Sequence, residues 1–307
     1  MEFRVVSATR RLAAPLFLAF ATIAHPAIAQ DEATTTLDVP DGAVGGMGDI
    51  NLYPKRIVIS DRQRIATVGL YNRSIASGEY EIKVNDLMMT PDGQLIPLER
   101  VADPAQLERV AVASDMLRWS PRRVSLASSE SQTVRIMARP PRDLPPGEYR
   151  SHFVAISVPD EAGGFSIEQA TQGATPTGIG VRIVPRFGIS IPIIVRVGDT
   201  TLETTVQDIA LAATPEGRPM VEMTINRSGN RSAFGDVIVT APGREEPVAI
   251  ARGIGIYPEI DARRVTIPVD AEVEPAFLAS GTRLTVTYID DDFAPGETLF
   301  RQDFIVP

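Results

Sequence analysis

The segment Gly178–Val197 reads GIGVRIVPRFGISIPIIVRV, and every odd position in it is apolar: Ile179, Val181, Ile183, Pro185, Phe187, Ile189, Ile191, Ile193, Val195 and Val197. Glycine, serine and arginine fill most of the even positions, broken by Val184, Pro192 and Ile194. Strict alternation places one class of side chain on each face of a strand. Ordinary strands run about 3–10 residues, whereas this ribbon would reach roughly 65 Å if extended throughout. Pro185 and Pro192 cannot donate to a ladder, which puts the ribbon at a sheet edge near those points. Two explanations stand for a long apolar edge: burial inside its own domain, or pairing with another chain by strand addition.

Short β-branched runs separated by turn residues lie on both sides of the ribbon. Upstream are NLYPKRIVIS, RIATVGLYN, GEYEIKVNDLMMT and RRVSLASSESQTVRIMAR; downstream are TTLETTVQDIALA, RPMVEMTINRS, GDVIVTAPG and TRLTVTYID. Regular spacing of such runs predicts β-sandwiches, and two sets of about 110–150 residues predict two domains. The boundaries read 1–29, 30–49, 50–197 and 198–307: a leader, a polar Gly-rich arm, and two sandwiches. The best helix candidate is ADPAQLERVAVAS, with Asp103 as N-cap and Pro104 at the first helical position.

The leader has a basic start (Arg4, Arg10, Arg11), an apolar run of about 13 residues and small residues at Ala27 and Ala29, the pattern of a secretory signal cleaved after Ala29. That run is shorter than the roughly 20 residues a spanning helix needs, so no stable membrane insertion is expected. A net charge of −9 disfavours nucleic acid as a partner. The absence of cysteine excludes thiol catalysis and thiolate metal sites.

Of two histidines, His25 lies in the leader and His152 sits alone in an alternating strand, which favours a structural role. Asp290, Asp291 and Asp292 are consecutive, whereas a calcium loop alternates its carboxylates; the reading is a solvated hairpin turn. No catalytic residue, metal or cofactor is expected, and the chain reads as a non-enzyme. Trp119 is expected to anchor a core. Arg56 is different. It alternates with Ile57 and Ile59 on the face of Val58, and LYPKRIVIS supplies no acid to neutralise it, so it reads either as an edge residue reaching solvent or as a cation awaiting an external anion.

INLYPKRIVISDRQRIATVGLYNRS and RWSPRRVSLASSESQTVRIMARPPRDLPPGEYRSHFVAISVP resemble the opening and central blocks of the periplasmic pilus chaperones, the PapD-like family. FGISIPIIVR is similar to that family's passage between domains, and INRSGNRSAFGDVIV to a turn and strand of its second domain. The resemblance covers about residues 50–307. It implies two immunoglobulin-like β-sandwiches in a boomerang arrangement, a location in the periplasm, and donation of a strand to a pilus or fimbrial subunit that is then passed to an outer-membrane usher. The implied donor residues are Ile179, Val181 and Ile183. The implied anchor for the subunit's C-terminal carboxylate is Arg56, unpartnered in the free chain, plus a second base. No lysine lies on the donor strand; Arg186 is the nearest candidate, with Arg182 and Arg196 as alternatives. The rival reading is a secreted β-sandwich adhesin or structural pilus component.

Overall fold

A computed structural model describes residues 44–45, 50–159 and 186–307, and these fall within one compact unit. The expected donor positions Ile179, Val181 and Ile183 lie outside the described residues, as do Arg182, most of the 30–49 arm and the whole leader.

The first sandwich contains β1 (Val44–Gly45), β2 (Ile50–Tyr53), β3 (Ile57–Ser60), β4 (Ile65–Asn72), β5 (Gly78–Asn85), a hairpin of β6 (Leu87–Met89) and β7 (Leu95–Pro97), β8 (Leu117–Ser120), β9 (Arg123–Leu126), β10 (Ser131–Ala138), β11 (Gly147–Val158) and β12 (Gly188–Val197). One sheet runs β1-β2-β4-β10-β8 and the other β3-β12-β11-β5-β9. Apart from the two-residue β1, that is the immunoglobulin order, with strands A, B, E and D facing G, F and C. Two of the passages between the sheets, β2 to β3 and β8 to β9, run through the cis peptides Tyr53–Pro54 and Ser120–Pro121. The second sandwich contains β13 (Leu202–Ala213), β14 (Pro219–Gly229), β15 (Ala233–Thr240), β16 (Ala249–Ile256), β17 (Ala262–Pro268), β18 (Arg283–Asp290) and β19 (Thr298–Ile305), arranged β13-β14-β17 against β16-β15-β18-β19. The only helix of α type among the described residues is α1 (Pro104–Leu107); Asp103 accepts from the Ala105 N–H at 2.9 Å. Trp119 is partly buried against the first core and donates from Nε1 to the Ile82 carbonyl at 3.1 Å.

Alternation decides which core each residue of β12 enters. Ile189, Ile191, Ile193 and Val195 are buried in the first sandwich. Ile194, on the opposite face, is buried in the second core, and Val58 of β3 packs there with it. From Ile189 to Val195 the apolar ribbon is therefore internal core. β12 pairs with β11 along its whole length but with β3 only over Ile193–Arg196. Its outer side is unpaired by a described strand from Gly188 to Pro192, and the proline sits at the last of those positions, where no donor is required. The connector after β5 is a second bridge. Met89 of β6 is buried in the second core, and Pro91 accepts from the Arg264 N–H at 2.8 Å.

Ile193→Ala and Ile194→Ala, neighbours on one strand, are expected to lower stability by about 2–5 kcal/mol each through cavities in different cores. Urea unfolding checks this; a loss below about 1 kcal/mol at either position would mean that its core closes around the gap.

Candidate functional site

On β11, Glu148, Arg150 and His152 share the face turned away from the first core, whereas Phe153 and Ala155 enter that core. Arg196 of β12 lies directly across from Glu148 in the ladder. Arg56 immediately precedes β3, on the same side as Val58. These residues meet the second sandwich.

Its contribution is the turn between β18 and β19. Asp290 Oδ1 accepts the backbone N–H groups of Asp292 and Phe293 at 2.7 and 3.0 Å, a local bond that folds the turn back and fixes Asp292. The Asp292 carboxylate lies 2.9 Å from Arg56 Nη2 and also takes Arg196 Nη2. Arg196 Nε reaches Glu148 at 3.2 Å, and Glu148 stands 4.0 Å from Arg56. Arg56 Nη2 donates to Ser232 Oγ at 2.7 Å, and its guanidinium carbon sits 4.5 Å from the centre of the Phe234 ring. The four charged side chains are 0–10% exposed. A second ion pair closes alongside: Arg150 with Glu259, under the Tyr257 ring at 3.7 Å, where Glu259 also accepts the Met89 N–H at 2.9 Å.

The expectation that Arg56 has no partner in the free chain is therefore corrected. Its immediate neighbours contain no acid, but the fold brings Asp292 and Glu148 to it. Burial disfavours its charge, yet Tyr257, Asp292 and Glu148 outweigh that and raise its pKa. Burial likewise opposes ionisation of Asp292, but Arg56 and Arg196 hold its pKa below the usual carboxylate value. The reading of Asp290–Asp292 as a solvated turn is also corrected: the Asp290 and Asp292 side chains are 3% and 5% exposed, and only Asp291 is open, at 45%. Among the described residues, no group of three or more His, Cys, Asp and Glu could hold a metal ion.

Arg186 is not brought to Arg56. It is half-exposed, pairs with Glu81 at 3.3 Å and donates to the Ser157 carbonyl at 3.2 Å. It stands ten residues from Arg196, about 33 Å along an extended strand. Of the alternatives named for a second base, Arg196 is the one that shares a carboxylate with Arg56. Glu148, Glu259, Ser232 and Tyr257 were not anticipated. A signal existed for the first: Glu148, Arg150 and His152 recur at every second residue of an alternating strand, so they mark a polar face that must be paired or wet.

A cleft of about 340 Å³ opens beside Arg56. Lys55, Tyr53, Phe234, Asp291 and Asp292 line it with Arg56. Lys55 pairs with Asp291 at 3.2 Å, both side chains 45% exposed. The cleft is thus bordered by one deep and one shallow ion pair, with aromatic surface between them.

No family model and no curated protein matches the chain. Among solved structures it is similar to the YadV chaperone (12% identity, 84% of this chain and 100% of that one, TM-score 0.42). It is also similar to the Escherichia coli chaperone DraB (13%, 84% and 96%, 0.42) and to the class 5 fimbriae chaperone CfaA (13%, 84% and 99%, 0.39).

Two outcomes are expected from the charged interface. Arg56→Ala leaves Asp292 one cation short in a desolvated place and is expected to cost about 3–5 kcal/mol in chemical denaturation, with Arg56→Lys recovering only part because the planar fork and its ring stacking are lost. Stability unchanged by Arg56→Ala would show that the ion pair is not formed in solution. His152 is 1% exposed, and burial, with Arg150 and Arg56, pushes its pKa from 6.5 down to about 3. The unfolded chain takes up that proton first. The histidine's contribution is therefore complete above about pH 6.5 and is lost as pH falls toward 3, by about 1.4 kcal/mol per unit. His152→Leu is expected to flatten the pH dependence of the urea midpoint between 6.5 and 4; an unchanged slope would place the titration elsewhere.

Proposed function

We propose that the chain is a periplasmic chaperone that folds and caps pilus or fimbrial subunits by lending them a strand, and that it passes them to an outer-membrane usher. The observation that carries this reading is the open side of β12. That strand is paired on one side throughout, unpaired by a described strand on the other from Gly188 to Pro192, and preceded in sequence by a further alternating apolar run containing Ile179, Val181 and Ile183. An incomplete sheet in a partner can be completed by such an edge, its backbone bonds supplied by the ladder and its pockets filled by alternate side chains. Burial of three Val or Ile side chains would contribute roughly 5–9 kcal/mol before ordering costs. The leader ending at Ala29 supports export, and 30–49 is proposed as an arm preceding two domains, 50–197 and 198–307. No helix among the described residues is long and apolar enough to cross a membrane.

The polar half of the reading changes with the corrected position of Arg56. A subunit's terminal carboxylate would meet a guanidinium that is already paired, so the anchor lies in the cleft beside Asp292 and Lys55, and Arg186 has no part in it.

Purification of the exported chain with mass spectrometry of bound partners is the test. Pilus-type subunits should co-purify, and Val181→Asp should reduce their recovery at least tenfold while circular dichroism stays unchanged. Equal recovery would remove the donor-strand role, and loss of the whole fold would make that edge internal core.

A further inference from the structure

Two ion pairs border the cleft, and they are unequal. Arg56 and Asp292 are 6% and 5% exposed in their side chains, and Asp292 is shared with Arg196. Withdrawing Asp292 would leave two buried cations short of an anion, which is strongly unfavourable. Lys55 and Asp291 are each 45% exposed. An exposed pair of this kind is held weakly, so an incoming anion that must break it loses no more than about fivefold in affinity. Arg56 also keeps Nε and Nη1 without a hydrogen-bond partner although both are buried. The cleft presents one exchangeable lysine and apolar surface from Tyr53 and Phe234, beside an Arg56 whose guanidinium stays paired with Asp292.

We propose that Asp291 is an internal competitor: it occupies Lys55 in the free chain and is displaced by the terminal carboxylate of a polypeptide segment whose last side chain is apolar. Lys55 is then the cation that exchanges partners, and Arg56–Asp292 remains intact. This rests on the chaperone reading for the source of the segment, but the cleft's preference for carboxylate can be measured apart from it. Because Asp291 neighbours Asp292 in the turn fixed by Asp290, its displacement needs only a side-chain rotation and no opening of the two sandwiches.

The probe is N-acetyl-phenylalanine, with its amide as the uncharged control, titrated into the whole exported chain and followed by nuclear magnetic resonance. The acid should bind in preference to the amide. Asp291→Asn should tighten the acid about two- to fivefold and leave the amide unchanged. Lys55→Gln should reduce the acid to the level of the amide; both residues are surface-exposed, so the fold is expected to persist. Equal affinity of the acid for wild type and Asp291→Asn would overturn the proposal, as would a preference for the acid that survives Lys55→Gln, or failure to distinguish acid from amide at all. If no subunit co-purifies yet Asp291→Asn still tightens the acid, the cleft stands and the chaperone reading falls. If subunits co-purify but the variants match wild type toward the acid, the competitor alone is overturned.

Discussion

Charge balance across the interface is the condition on which the two sandwiches depend. The first brings Arg56, Arg196 and Glu148 to one face, an excess of one positive charge; the second brings Asp292, which cancels it. The neighbouring pair repeats the division, with Arg150 from the first sandwich and Glu259 from the second. Desolvating each ion costs several kcal/mol, and the mutual attraction offsets this only where the geometry satisfies both partners. Neither sandwich alone can satisfy its own ions. The face of β11 and β12 outside the first core therefore acts as a specificity device: apolar residues there would stick to many surfaces, whereas these charges are neutralised in only one alignment.

Apolar contacts across the same face supply the attraction that the ions do not. Ile194 and Val58 enter the second core from the first sandwich, and Met89 follows from the hairpin between β5 and β8. Two separate parts of the first sandwich, its last strand and its long connector, thus feed the neighbouring core. Arg109 adds an exposed pair with Asp261, of small energetic weight. The interface is held by packing and selected by charge.

The parts of this structure visible in the sequence were those governed by neighbours along the chain. Alternation in β11 and β12 predicted both strands while leaving open whether the apolar residues of β12 are buried in their own domain, and Asp103 with Pro104 predicted the start of α1. The parts that were not visible depend on residues brought together from far away. Arg56 lacks an acid within its own strand, so local reading left it free, and only the fold supplies Asp292. Three consecutive aspartates look solvated because burial is a property of what packs over them. Arg186 was attractive because it is basic and follows the expected donor residues, but extended geometry carries it to the far end of the strand. His152 shows the intermediate case: its strand was legible, while the burial that chiefly holds it neutral, helped by Arg150 and Arg56, depends on what packs over it.

The unequal depth of the two ion pairs separates structure from recognition within one small cleft. Arg56 and Asp292 are so enclosed that their exchange would disturb the interface itself. Lys55 and Asp291, the adjacent residues on each side, share the same backbone but face solvent, so they can change partners without moving the domains. One step along each chain converts a buried structural contact into an exposed exchangeable one. Since Asp290 fixes the turn from within the second sandwich, the position of Asp291 is set by the same bonds that hold the deep pair. A ligand at the rim therefore meets a site that is already assembled, and it displaces one side chain instead of building the site as it binds.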